Sequence, residues 1–145
     1  MVSQRKNVSA YTGTPPESDT DERCIEGGPL YGKDEVLAVL AQGEGGLLPW
    51  TRKCVMDMEN LTFDNLDAIE LIEDALKGGR FRNSEWCVQN PSGPWAACDA
   101  YELVRKEWVQ AAHKEMPFDY FVKFAIGKTG KILLLVSCHP SQDRS

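Results

Sequence analysis

Apolar and polar residues recur with two different periods along this chain, and the period changes near residue 80. Before that point apolar residues return every three or four positions, which is typical of amphipathic helices. After it they alternate at every second position, which is typical of strands. Helices followed by strands predict an α+β fold, with two or three N-terminal helices packed on a mostly antiparallel sheet of about four strands.

Three helices are predicted before the change of period. The first begins at Asp34 and extends to about residue 41, and the second covers about 49–59. The third is the best defined, because Thr62 or Asp64 can cap its start and Gly78-Gly79 ends it. We therefore expect the first half of the domain to be helical.

The second half predicts strands at 81–88 and 95–103, joined by a turn that contains Asn90-Pro91-Ser92-Gly93-Pro94. The segment 104–115 fits either a helix or an extension of the preceding strand. The chain closes with a hairpin over 119–139, whose turn is Gly127-Lys128-Thr129-Gly130.

Alternation assigns the side chains of this hairpin to two faces of the sheet. Lys123 is predicted to share a face with Phe121 and Ala125. By the same count, Ser137 and His139 extend the row that begins with Leu133 and Leu135. A lysine and a histidine at the rim of one hairpin suit an RNA-cutting site, and they also suit an ordinary solvated sheet edge.

Composition predicts a single domain between two tails. Residues 1–28 are rich in Ser, Thr, Pro and acidic residues and are predicted to be disordered, 29–139 form one α+β domain, and 140–145 form a C-terminal tail. No apolar run is long enough to cross a membrane, and no secretory signal precedes the domain. Five cysteines without a CxxC pair indicate free thiols and a cytoplasmic location.

Charge is distributed unevenly along the chain. The formal net charge is −6, yet residues 1–76 carry 6 Lys/Arg against 15 Asp/Glu, whereas residues 77–145 carry 10 Lys/Arg against 7 Asp/Glu. Phosphate binding depends on the local patch rather than on the total. The basic second half therefore permits contact with nucleic acid.

Cleavage of RNA without a metal requires a base for the 2′-hydroxyl, a cation for the developing phosphorane charge and an acid for the leaving oxygen. The basic half supplies groups suited to these roles: Arg80, Arg82, Tyr101, Tyr120, Lys123 and His139. A structural interpretation exists for each, since strand lysines are commonly solvated and arginines favour helix C-termini. A zinc site built from Cys98, Cys138, His113 and His139 lacks recognised spacing, so no metal or cofactor is predicted.

Four short motifs occur in an order found in a known family. They are Leu61-Thr62-Phe63-Asp64, Cys98-Asp99-Ala100-Tyr101, Phe121-Val122-Lys123-Phe124 and Leu133-Leu134-Leu135-Val136-Ser137. With them the chain from about 31 to 139 resembles the MqsR-type toxins, bacterial mRNA interferases with a RelE-like fold. That family has L-x-F-D, W-Q-D-V-Y, Y-V-K-F and L-L-S-F-K at the corresponding places.

The chain departs from the family at several positions. The family's K-S-M-T segment becomes Phe81-Arg82-Asn83-Ser84, and its closing S-F-K becomes Ser137-Cys138-His139. Cys98 stands at the family's glutamine and Phe121 at its tyrosine. Asp99, Tyr101 and Lys123 match.

The resemblance implies a ribosome-independent, metal-independent RNA endonuclease of a type II toxin–antitoxin system, with RNA as substrate and a cognate antitoxin as partner. In this hypothesis Lys123 and Arg82, with Arg80 nearby, hold the phosphate, and His139 acts with Tyr101 or Tyr120 in proton transfer. The alternative is a catalytically inactive RelE-like protein-binding module, an inhibitor or regulator that a phage could encode. A small metal-dependent enzyme is a third option.

Overall fold

The computed structural model describes residues 6–17 and 22–140, which form three α-helices and a six-stranded mixed sheet. The helices are α1 (Lys33–Leu40), α2 (Arg52–Leu61) and α3 (Asn65–Gly78). The strands are β1 (Cys24–Ile25), β2 (Leu47–Pro49), β3 (Arg80–Val88), β4 (Trp95–Val109), β5 (Lys114–Ile126) and β6 (Leu133–Pro140).

The strands follow the order β1-β3-β4-β5-β6-β2, and every neighbouring pair is antiparallel except β2 with β6, which is parallel. The chain is therefore α+β, but the predicted RelE-like sheet of about four strands is wrong. The four predicted strands correspond to β3 to β6. The sequence did not reveal β1 and β2 because two and three residues are too short to display an alternating pattern.

The segment 104–115, for which the sequence left two alternatives, is extended. Strand β4 continues to Val109, the chain reverses at His113 with a left-handed φ of 53°, and β5 begins at Lys114. Pairing of β4 with β3 ends at Glu102, and pairing of β5 with β6 ends at Tyr120. Residues 103–119 consequently project as a two-stranded ribbon, referred to below as the ribbon.

The sheet has two distinct faces. The helix face carries Tyr101, Val122, Phe124, Leu133 and Leu135, which belong to the main apolar core together with the buried residues of the three helices. The opposite face carries Glu85, Cys98, Phe121, Lys123 and His139 and is called the site face. This division decides which side chains can act together.

The start of α2 is fastened to the edge of β6. Thr51 caps the helix by accepting a hydrogen bond from the Cys54 N–H at 3.0 Å, and its hydroxyl donates to the Val136 carbonyl at 2.7 Å. One turn later, Asp57 accepts from the Cys138 N–H at 3.2 Å. Helix α2 therefore covers the part of β6 that β2 leaves unpaired, and its first turn reaches the site face.

Trp50, between β2 and α2, links two strands that are not neighbours in the sheet. The Trp50 N–H donates to the Leu135 carbonyl of β6 at 2.8 Å, while the Trp50 carbonyl accepts from Gln89, which follows β3, at 2.9 Å. One residue thus joins strands that lie three places apart.

Part of the predicted N-terminal tail contributes to the fold. Residues 24–25 form β1, Asn7 bridges to Trp95, and Ser9 bridges to Gly127. Residues 6–10 are thereby inserted between β4 and β5 where these strands diverge. Residues 1–5 and 18–21 of the predicted tail, and 141–145 of the C-terminal one, lie outside the described residues.

Among the residues that the structure describes, no helix has the length and apolar character needed to cross a membrane. The longest, α3, has 14 residues. Its capping box joins Asp64 and Asp67, as the predicted helix start requires.

Candidate functional site

A β-bulge in β6 determines which side chains reach the site face. Lys123 of β5 pairs with Ser137, but the next residue, Phe124, pairs with Leu135, so that Val136 is an extra residue. Such a bulge changes the facing of every residue beyond it. Ser137 and His139 therefore lie on the face of Lys123, and their predicted membership of the Leu133–Leu135 row is wrong.

The bulge opens onto a cleft of about 340 Å³ on the site face. Strands β3, β5 and β6 form its walls, and the first turn of α2 closes one end. The residues lining it are Arg23, Thr51, Lys53, Glu85, Trp86, Cys87, Val88, Phe121, Lys123, Val136, Ser137 and His139. Three cations and a histidine thus surround one opening, which favours an anionic ligand.

Lys123 is the more buried of the two lysines in this cleft, with 17% of its side chain exposed against 58% for Lys53. Its ammonium group forms an ion pair with Glu85 of β3 and lies 5.6 Å from the centre of the Phe121 ring. Burial lowers the pKa of Lys123, but the negative charges of Cys87 and Glu85 more than offset that effect, so the pKa is raised. Lys123 is a charge-stabilising group and a poor proton donor near neutrality.

His139 occupies the rim of the cleft in a defined orientation. Its ring stacks on Phe121 with centroids 5.3 Å apart, and Nδ1 lies 2.8 Å from the Pro140 carbonyl. Because a carbonyl oxygen can only accept, Nδ1 carries a proton in this contact. In the neutral ring Nε2 is then the proton acceptor, which is the state required of a general base.

Arg80 and Arg82 lie elsewhere on the sheet. Both form ion pairs with Glu102, Arg80 at 3.1 Å, and Arg82 is the extra residue of a second bulge, in β3. Arg80 and Glu102 also line a separate cavity of about 410 Å³ at the base of the ribbon. The structure thus brings these arginines to Glu102 and not to the cleft that contains Lys123.

Tyr101 points into the core on the helix face. It is 1% exposed, its ring is stacked on Phe124 with centroids 5.8 Å apart, and burial raises its pKa. Within the described residues its hydroxyl has no hydrogen-bond partner. The sheet separates Tyr101 from Lys123 and His139.

Tyr120 lies on the helix face as well and is 4% exposed. Its hydroxyl donates to Glu107 at 2.6 Å, and the Arg105 guanidinium lies 5.1 Å from its ring centre. Arg105 also pairs with Asp74 of α3 at 3.3 Å. Tyr120 therefore fastens the base of the ribbon to α3, and the structure does not bring it to His139.

The residues of the hypothetical zinc site are dispersed. Cys138 lies on the helix face and Cys98 on the site face, and His113 lies at the tip of the ribbon. In residues 6–17 and 22–140, no three His, Cys, Asp or Glu side chains cluster as metal ligands.

Several residues of the cleft were not identified from the sequence. Glu85 and Cys87 reach Lys123 only through the β3–β4–β5 register, and Lys53 arrives from α2. Alternation within β3 places Glu85 and Cys87 on one face, but a single sequence does not indicate what lies opposite.

Comparison with protein-family models, curated proteins and solved structures finds no match for this chain.

Proposed function

We propose that this protein is a metal-independent RNA endonuclease that acts in the cytoplasm, a divergent MqsR-type toxin restrained by an antitoxin. The observation that carries the proposal is the bulge at Val136, which puts His139 on the same face as Lys123, so that both side chains line one cation-lined cleft. An RNA phosphate would occupy this cleft. The four sequence motifs support the same assignment.

In the proposed reaction Nε2 of His139 removes the proton from a 2′-hydroxyl. The 2′-oxygen attacks the adjacent phosphorus, the bond to the 5′-oxygen breaks, and a 2′,3′-cyclic phosphate forms. Lys123 stabilises the charge that develops on the phosphoryl oxygens. The leaving 5′-oxygen takes its proton from water at the open mouth of the cleft, a role that the buried tyrosines do not fill.

The test uses the full-length chain and single-stranded RNA in the presence of EDTA. We expect the wild type to cut, and Lys123→Ala or His139→Ala to lower the rate about 100-fold or more. Lys128→Ala and His113→Ala are matched controls, because both side chains are exposed and lie outside the cleft. Circular dichroism establishes that each variant is folded.

Two results would contradict the endonuclease. One is a folded wild type that neither cuts RNA nor arrests growth when it is expressed in bacteria. The other is cutting that Lys128→Ala impairs as strongly as Lys123→Ala. Products that lack a 2′,3′-cyclic phosphate would exclude the proposed attack by the 2′-oxygen.

The second candidate is a non-catalytic module that binds a protein. It is favoured by the ribbon, where Val104 is 62% and Trp108 is 57% exposed on the same face. Large exposed apolar side chains on a projecting element are typical of interaction sites. An inactive wild type in the RNA assay would favour this candidate.

A further inference from the structure

Four of the five cysteines form two thiol pairs. Cys138 of β6 lies close enough to Cys54 of α2 to affect its pKa, and Cys87 of β3 and Cys98 of β4 affect each other's pKa in the same way. The fifth, Cys24, is exposed. The two pairs consist of the same groups in different surroundings, so the reactivity of one pair can be compared with that of the other.

The Cys87–Cys98 pair lies on the site face. In the β3–β4 register Cys98 is opposite Glu85 and Cys87 is opposite Ala96, so the two thiols are diagonal neighbours. Cys87 lines the cleft and is 7% exposed, whereas Cys98 is 0% exposed. A small reagent in the cleft therefore reaches Cys87 first and meets Cys98 only through it.

The charges around this pair distinguish its two members. Cys98 and Ala100 are consecutive residues on the site face of β4, and Lys123 of β5 lies opposite Ala100. The positive charge of Lys123 therefore acts on both thiols. Interaction with the neighbouring Cys98 thiol lowers the pKa of Cys87; burial opposes that effect, and the positive charge of Lys123 lowers the pKa further. Burial raises the pKa of Cys98, which stays a thiol.

We propose that Cys87 and Cys98 are a peroxide-reactive dithiol, in which Cys87 is the nucleophile and Cys98 is the resolving thiol. The Cys87 thiolate attacks one oxygen of a hydroperoxide, an S–O bond forms, the O–O bond breaks, and the departing oxygen is protonated. The sulfur of Cys98 then attacks the sulfur of the sulfenic acid: an S–S bond forms, the S–O bond breaks, and the departing hydroxide takes the thiol proton of Cys98 and leaves as water. The two thiols lose two electrons and the peroxide gains them. This chemistry does not depend on the proposed RNA cleavage.

The Cys54–Cys138 pair is expected to stay reduced. Both thiols are fully buried between α2 and β6 and lie outside the cleft. Interaction with the neighbouring Cys138 thiol, together with burial, raises the pKa of Cys54. Each pair consists of two neighbouring thiols, and the two pairs differ in access and in nearby charge, which control the reactivity of a thiol.

The test treats the reduced full-length chain with hydrogen peroxide, unfolds it in an alkylating agent, and maps the peptides by mass spectrometry. We expect a Cys87–Cys98 linkage while Cys54 and Cys138 are alkylated. Cys98→Ser should stop the reaction at a sulfenic acid on Cys87, which dimedone traps. Cys24→Ser is the control and should form the linkage as the wild type does.

A second measurement needs no cysteine variant. In the folded wild type, iodoacetamide should label Cys87 faster than Cys54, and Lys123→Gln should slow the labelling of Cys87 about tenfold. Oxidation of Cys54 and Cys138 before Cys87 would overturn the proposal. So would a folded protein in which peroxide leaves Cys87 and Cys98 unlinked. RNA cleavage is not the readout, so these failures are distinct from failure of the endonuclease.

Discussion

At the scale of single residues, Lys123 and His139 of the cleft are each held by a neighbour that also limits their chemistry. Glu85 forms an ion pair with Lys123 and neutralises its charge, and the Pro140 carbonyl fixes the proton of His139 on Nδ1. An incoming phosphate would compete with Glu85 for the ammonium group. In the proposed function, the strength of that ion pair therefore limits the affinity for the RNA phosphate.

Glu85→Gln should strengthen the binding of a single-stranded RNA oligonucleotide about fivefold. A partly exposed ion pair contributes on the order of 1 kcal/mol, and its removal leaves Lys123 available to the phosphate. Fluorescence anisotropy at fixed salt measures the dissociation constant. Glu70→Gln, on the exposed side of α3, is the control, and weaker binding by Glu85→Gln would show that Lys123 does not meet the phosphate.

Tyr120 should make stability depend on alkaline pH. Burial and the hydrogen bond to Glu107 raise its pKa to about 12, whereas a tyrosine in the unfolded chain titrates near 10. Its neutral form thus contributes stability that is complete below about pH 10 and is lost as the pH rises through about 12. Urea unfolding should show the advantage of wild type over Tyr120→Phe shrinking in this window. A constant difference would contradict the assignment.

At the scale of elements, the start of α2 and the bulge of β6 are joined by a hydrogen bond. Thr51 is both the N-cap of α2 and the donor to Val136, so a single hydroxyl links the helix start to the extra residue of β6. Lys53, two positions later, enters the cleft from the same turn. The position of α2 and the facing of His139 are therefore coupled.

Replacement of Thr51 tests this link. Thr51→Val keeps the shape of the side chain but loses both hydrogen bonds, and we expect the free energy of unfolding to fall by about 1–2 kcal/mol. Thr51→Ser retains the hydroxyl and should stay within about 0.5 kcal/mol of the wild type. Chemical denaturation measures both, and equal losses in the two variants would rule out the hydroxyl as the link.

The elements differ in how well the sequence predicts them, for physical reasons. The start of α3 follows from Asp64 because capping is a local interaction. The bulge at Val136 has no local signal, since an extra residue in β6 is defined only against β5. The predicted site combined Tyr101 and Tyr120 with Lys123, although the two tyrosines lie on the helix face and Lys123 lies on the site face. For Tyr101 this separation depends on how β4 pairs with β5, which a single sequence does not reveal.

At the scale of the whole molecule, an N-terminal segment completes the sheet. Ser9 is buried where β4 and β5 separate, and its hydroxyl oxygen accepts from the Ala97 N–H at 3.0 Å. The Val8 N–H donates to the Trp95 carbonyl and the Ala10 N–H to the Ile126 carbonyl. The composition of this segment predicted disorder, because its average polarity is high. Pairing of a few of its residues with the sheet does not change that average, so composition does not reveal it.

Ser9→Ala should destabilise the whole domain rather than only its N-terminus. The Ala97 N–H would lose its acceptor in a buried position, which costs on the order of 1–2 kcal/mol. Thermal unfolding and the hydrogen exchange of the Ala97 amide measure the effect. Thr12→Ala, at an exposed position nearby, should change neither, and normal protection of Ala97 in Ser9→Ala would contradict the role of Ser9.

The extra residue in β6 acts as a phase shift in a two-residue period. Odd-numbered residues of that strand face the helices before Val136 and face the cleft after it. Loss of one codon there would leave composition and hydrophobicity almost unchanged, yet it would turn Ser137 and His139 to the other side of the sheet. Among descendants of this chain, a site could thus be gained or lost by a single-residue deletion or insertion. A sequence alignment that placed the gap in a neighbouring strand, rather than at the bulge in β6, would conceal this event.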